Sequence, residues 1–166
     1  MKKLFEKKQK ENIITQHNPF SKYLTKEDHL HSQIAQYLNM QYPQCLWIHC
    51  PNEGKRSVFE RYKAKILGLK SGIPDFLIFE QKVIEYKALN VNGGTCGLAI
   101  ELKIKPNKPT LNQLLFLENF NIRKWFTVVC YSFEEAKEII DWYLENTPGE
   151  KPQPDPILTN NQDTRS

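Results

Sequence analysis

The chain has 166 residues, 40% of them hydrophobic and 25% charged, the balance of a single globular domain and not of a fibrous or wholly disordered chain. No apolar run approaches the roughly 20 residues that cross a bilayer, and no apolar segment follows the N-terminal lysines as in a secretory signal, so a cytoplasmic protein without membrane contact is expected. The net charge of +4 is too small to identify a partner alone, and Cys45, Cys50, Cys96 and Cys130 lack metal-site spacing and are read as reduced thiols.

Residues 1–22 are polar and carry five lysines within the first eleven positions, so a flexible basic arm is expected there. A folded domain is expected over residues 23–146. Thr25 and Asp28 form a capping-box pattern, and Leu30, Ile34, Tyr37 and Leu38 then recur at helical spacing to about Gln41. Glu27 precedes Leu30 by three positions and Ile34 by seven, which puts it on the inward stripe of that helix. Cys45-Leu-Trp-Ile-His-Cys50 reads as a strand and Pro51-Asn52-Glu53-Gly54 as a turn. Ser57 and Glu60 cap a second helix, with Val58, Tyr62 and Ile66 expected inward and Arg61, Lys63 and Lys65 outward. Together with Lys55, Arg56 and Lys70 these cations cluster just ahead of Asp75, as a solvated face or as a phosphate-binding surface.

Phe76-Leu-Ile-Phe79 is apolar on both faces, as a central strand should be. Val83–Tyr86 offers a further short strand, and Asn90-Val-Asn-Gly-Gly94 is expected as a loop. Gly97-Leu-Ala-Ile-Glu-Leu-Lys-Ile104 is the next central strand. Thr110 and Gln113 cap a helix to about Asn121, packed by Leu111, Leu114, Leu115 and Phe116. Trp125–Tyr131 is a strand, and Ser132 with Glu135 opens a last helix with Ala136, Ile139, Ile140, Tyr143 and Leu144 apolar. Residues 147–166, rich in Pro and polar residues, are expected as a disordered tail. The element order indicates an α/β domain with a mixed sheet flanked by helices.

The chemistry concentrates between Gly72 and Gln113. Asp75 opens one apolar run, Glu101 closes another, and Lys103 shares a strand face with Glu101 because side-chain direction repeats every two residues. Paired hard carboxylates are the ligands that Mg²⁺ uses, and a lysine beside them can polarise a water and offset their repulsion. That set suits metal-dependent hydrolysis of a phosphodiester.

Gly72-x-Pro74-Asp75, then Glu101-Leu-Lys103 within an apolar strand, then Thr110-x-x-Gln113, resembles the VRR-NUC branch of the PD-(D/E)xK nucleases. Glu27 before Leu30 resembles the first-helix glutamate of that family, and Pro51-Asn52 with Gly54 and Arg56 resembles its PNGGxR-like turn. The resemblance spans most of residues 25–145. It implies a restriction-endonuclease-like αβββαβ core and Mg²⁺- or Mn²⁺-dependent cleavage of DNA, often at branched or flap structures. It also implies metal binding by Asp75, Glu101 and the Leu102 carbonyl, a catalytic Lys103, and Gln113 and Glu27 in the same pocket. Asn52, Lys55, Arg56, Arg61 and Lys65 are the expected DNA contacts. His31 stands where the family often carries Gln, and Glu53 where it carries Gly.

Simpler roles exist for several of these residues. Gln113 is also the third residue of a capping box, and Glu27 a first-turn carboxylate favoured by the helix dipole. Glu85 and Lys87 make a second Glu-x-Lys, less apolar on its flanks and not followed by a capped helix with Gln. His49 ends a strand, where histidines are more often structural. The alternative to a nuclease is a DNA-binding module of the same fold without catalysis. One active site per chain favours a homodimer for any reaction that cuts two strands.

Overall fold

The computed structural model describes residues 22–50, 57–86 and 91–145. Nearly all of the expected arm, the expected tail, and the turn holding Asn52, Lys55 and Arg56 lie outside the described residues. Helix α1 (Lys26–Gln41) starts at Thr25, whose hydroxyl accepts from the Asp28 N–H while the Asp28 carboxylate accepts from Thr25 N. Strand β1 (Trp47–His49) and helix α2 (Val58–Ile66) follow, then β2 (Phe76–Ile78). Strands β3 (Lys82–Tyr86) and β4 (Val91–Thr95) form a separate antiparallel hairpin. Strand β5 (Gly97–Leu102), helix α3 (Leu111–Ile122), strand β6 (Trp125–Cys130) and helix α4 (Phe133–Glu145) complete the domain.

The central sheet runs β1-β2-β5-β6, with the first two pairs antiparallel and β5–β6 parallel. Removing α2, the hairpin and the final α4 from the series leaves α1-β1-β2-β5-α3-β6, the expected αβββαβ order with a mixed sheet. Period-two alternation divides the sheet into two unequal faces. Phe76, Ile78, Leu98, Ile100, Leu102, Phe126, Val128 and Cys130 face α1 and α4 and make the main core with Leu30, Ile34, Leu38, Ile139, Ile140 and Tyr143. Leu77 and Ala99 face the other way, into a smaller cluster completed by Ile73, Phe120 and Trp125. Trp125 lies so close over Gly97 that a Cβ there would stand 2.5 Å from the indole. No helix among the described residues is long and apolar enough to cross a membrane.

Four local expectations are corrected. Asn90–Gly94 is not wholly a loop, because Val91–Thr95 pairs with Lys82–Tyr86 as β4; cross-strand pairing outweighs the poor strand propensity of Asn and Gly. Helix α2 forms with the expected capping box at Ser57, yet Val58 (76% exposed) and Tyr62 (61% exposed) do not turn inward, and none of its residues is buried. Apolar spacing marks a face; it does not supply an element to cover it. In α3 the expected packing residues Leu111, Leu114 and Leu115 are exposed, and Leu117 is the buried one. The run Leu-Leu-Phe-Leu is apolar around the whole helix, so periodicity cannot select the inward side. The Cys45–Cys50 strand also shortens to three residues.

Asp141 ties α4 to the C-terminal end of α1. Its Oδ1 accepts from the Tyr37 and Tyr42 hydroxyls and its Oδ2 from Lys137 Nζ at 2.6 Å. Burial works to raise its pKa, but the bonds from Lys137, Tyr37 and Tyr42 prevail and hold it below the ordinary 3.8. A carboxyl depressed in the folded state adds stability that is complete above its ordinary value and lost as pH falls through the depressed one. Asp141→Asn is therefore expected to cost about 1–2 kcal/mol at neutral pH. Denaturant titrations from pH 7 down to pH ~3 should show the gap to wild type narrowing in the acid range.

Candidate active site

Two strand ends and one helix start meet at the same edge of the sheet. In the β2–β5 register Phe76 pairs with Ile100, so Asp75, one residue earlier, comes opposite Glu101. Gly72 makes this approach possible. Its φ of +90° lies in the region that L side chains avoid, and a Cβ there would stand 2.6 Å from the Asn112 backbone. The segment from Ser71 to Asp75 therefore lies directly on the first turn of α3, which carries Gln113.

The polar groups interlock. Asp75 Oδ2 accepts from Leu102 N at 2.7 Å. Lys103 Nζ donates to Glu101 Oε1 at 2.6 Å and to the Leu102 carbonyl at 2.9 Å. Gln113 Nε2 donates to the same Glu101 oxygen, while Gln113 Oε1 accepts from Thr110 N at 2.8 Å and from the Thr110 hydroxyl. Gln113 thus serves the cap and the carboxylate together, and the cap dictates which end of its amide faces Glu101. Asp75 is 2% exposed, Glu101 0% and Lys103 8%.

Histidines form a further wall. His31 Nδ1 lies 3.1 Å from His49 Nε2, and His31 Nε2 lies 3.9 Å from Asp75 Oδ2. Burial lowers the pKa of both imidazoles. Burial also raises the Asp75 carboxyl above its ordinary value, against the Leu102 N–H and the Lys103 charge. For Lys103 burial pulls downward, but the Glu101 hydrogen bond and the charges of Glu101, Asp75 and Glu27 win, and its pKa is raised. Glu27 is half-buried in the first turn of α1, and its charge acts on Asp75, His31 and Lys103 alike.

A cleft of about 720 Å³ opens in front of this cluster, lined by Asp75 and Gln113 and by Arg61, Lys65 and Lys70. Thr110, Asn112, Ser71 and Gly72 also line it, and Thr110 and Asn112 were not singled out from the sequence as site residues. Only their position beside Gln113, on a helix start, pointed to them. Glu85 is placed elsewhere: its backbone pairs with Asn92 in the β3–β4 hairpin, outside the four-stranded sheet.

The donor set fits a small, hard divalent cation. Two buried carboxylates and a carbonyl converge, and the cationic Lys103 ammonium already touches two of these oxygens. Among the described residues no three His, Cys, Asp or Glu side chains gather as a cage. Mg²⁺ and Mn²⁺ do not need one, since waters and substrate phosphate complete their shell.

The VRR-NUC domain model matches residues 19–134 of the chain. A solved structure described as a VRR_NUC domain protein superposes with a TM-score of 0.54 at 22% identity, covering 74% of this chain and 90% of its own. No curated protein matches.

The contact between Gly72 and α3 is the most sterically confined point of the site. Gly72→Ala is expected to destabilise the domain by roughly 1–3 kcal/mol, read as a lowered midpoint of thermal unfolding. Gly68→Ala, where a Cβ would meet nothing within 4 Å, shares only the backbone strain and should cost less.

Proposed function

The chain belongs to the VRR-NUC domain family, a family of nuclease domains, and on that premise we propose that it is a divalent-metal-dependent endonuclease that hydrolyses DNA phosphodiester bonds. The observation that carries this reading is the Lys103 ammonium, which joins Glu101 to the Leu102 carbonyl beside Asp75. Asp75 and Gln113, which flank that group, line a cleft together with Arg61, Lys65 and Lys70. A buried ion pair costs desolvation and is seldom the most stable choice; beside a cationic cleft it has a chemical use.

Asp75, Glu101 and the Leu102 carbonyl would hold Mg²⁺ or Mn²⁺. When bound, the ion neutralises the phosphate and lowers the pKa of a water that it holds. Lys103, with its raised pKa, is an ammonium at neutral pH. It therefore acts as a donor that orients the attacking water and stabilises negative charge on the phosphoryl oxygens, not as the base. Gln113 keeps the Glu101 carboxylate in one orientation, because its own amide is held by Thr110. The Glu101 hydrogen bond and the charges of Glu101 and Asp75 hold Lys103 protonated, and Glu27 adds a smaller charge in the same direction. Arg61 and Lys65 steer and hold the backbone phosphates, and Asn52, Lys55 and Arg56, just ahead of α2 in the sequence, are proposed to extend that surface. Branched or flap DNA and a homodimeric assembly in the cytoplasm belong to the same proposal.

Two measurements test it. Asp75→Ala and Lys103→Ala are each expected to lower the Mg²⁺-dependent cleavage rate by about 10²-fold or more, measured on duplex, nicked, flap and four-way DNA. Unchanged cleavage by both variants rejects the site, whereas salt-sensitive binding without cleavage by the wild type points to a non-catalytic DNA-binding module. Arg61→Ala and Lys65→Ala are expected to weaken binding evenly across DNA sequences. Each should lower the slope of log K against log[salt] by about 1.

A further inference from the structure

A second hollow, of about 530 Å³, lies alongside the cleft, and Lys70, Ser71 and Asn112 line both. The second hollow has a different chemistry. Leu115, Phe116 and Phe120 give it an apolar floor on one side of α3, and Lys70 and Arg123 place two cations on its lining. Phe120 is braced from behind by Trp125, the ring centroids 5.0 Å apart. Arg123 is fixed at the end of α3, where its Nη1 donates to the Asn119 carbonyl at 2.9 Å and to Asn119 Oδ1 at 3.1 Å. The volume falls within the roughly 300–1,000 Å³ of ligand sites.

We infer that this hollow binds one unpaired nucleobase of the DNA whose backbone occupies the neighbouring cleft, with the base resting on Phe116 and the adjoining phosphates near Lys70 and Arg123. The inference rests on the nuclease reading for the path of the backbone. An aromatic floor with cations beside it matches a nucleotide, which is a π face carried on an anionic chain. An apolar peptide would match the floor and leave the cations unanswered. The shared wall at Lys70, Ser71 and Asn112 supplies continuity, so a strand running past Arg61 and Lys65 towards Asp75 reaches the hollow without leaving the protein. A paired base is stacked on both sides and cannot lie flat on Phe116, so the bound base must be out of the duplex. The site reads the face of the base and not its edge. Asn119 Nδ2 donates to the Leu115 carbonyl and its Oδ1 accepts from Arg123, and Asn112 Nδ2 donates to the Ser71 hydroxyl, so no side-chain amide of the lining is wholly free to read a base edge. Purines and pyrimidines should therefore bind to a similar extent.

The test uses the full chain in chelator, so that DNA is bound but not cut. Two duplexes carry 2-aminopurine, one with the probe paired and one with it as a single unpaired nucleotide. Wild type is expected to bind the unpaired form about tenfold more tightly and to quench its fluorescence. Phe116→Leu, which keeps bulk and loses the ring, should abolish both effects, and Phe116→Tyr should retain them. Leu115→Glu, at a position 46% exposed and tolerant of a polar residue, should also abolish them if Phe116→Leu proves unstable. Quenching that survives Phe116→Leu or Leu115→Glu overturns the inference. So does a wild type that shows no preference for the unpaired form but still cleaves DNA with Mg²⁺, an outcome that leaves the nuclease reading standing. Preference and quenching in a protein that cleaves nothing sustain the base site and reject the nuclease. A wild type that binds neither duplex rejects the base site, while cleavage with Mg²⁺ decides the nuclease reading separately.

Discussion

The interaction on which the rest of the site depends is the buried pair of Lys103 and Glu101, held at 2.6 Å with the carboxylate wholly shielded from water. A carboxylate in such a place must be neutralised, hydrogen-bonded or both. Lys103 supplies charge, Gln113 supplies a donor, and the Leu102 carbonyl shares the ammonium. Asp75 would repel Glu101 across the same register, and the Leu102 N–H and Lys103 moderate that repulsion. Two anions are kept side by side by one cation and two fixed donors. That arrangement is the one the proposed divalent ion would enter, with its oxygen donors already held in place.

The sheet serves this arrangement by its asymmetry. One face buries large aliphatic and aromatic side chains beneath α1 and α4, and that face holds the strands rigid. The other carries a smaller apolar cluster around Leu77 and Trp125 and mixes small and polar residues into the same strands, Ala99, Glu101 and Thr127 among them. The thinner side lets α3 bring its N-terminal turn onto Glu101. The main core and the buried charges thus lie on opposite sides of one layer.

Much of this was legible in the sequence. The capping boxes at Thr25, Ser57 and Thr110 form as their spacing predicts, because a cap is decided by local bonds. Strands β2 and β5 were legible because a strand buried on both faces must be apolar throughout. The juxtaposition of Asp75, Glu101 and Lys103 followed from those strands and the two-residue period. The exposed side of α2, the inward side of α3 and strand β4 were not legible. Each depends on what stands opposite it: α2 has no covering element among the described residues, α3 offers apolar side chains all round, and β4 exists only through its partner strand. Thr110 and Asn112 were missed for the same reason, since their importance lies in the segment of chain that Gly72 folds against them.

The bond from Gln113 to Glu101 has a dynamic side. Its anchor is the first turn of α3, and helix ends open and close far more often than domains unfold. Each fraying event releases the cap and the carboxylate together. How long Gln113 and Glu101 stay aligned thus depends on how firmly one helical turn stays wound, and warming is expected to loosen this turn before it opens the core beneath α1 and α4.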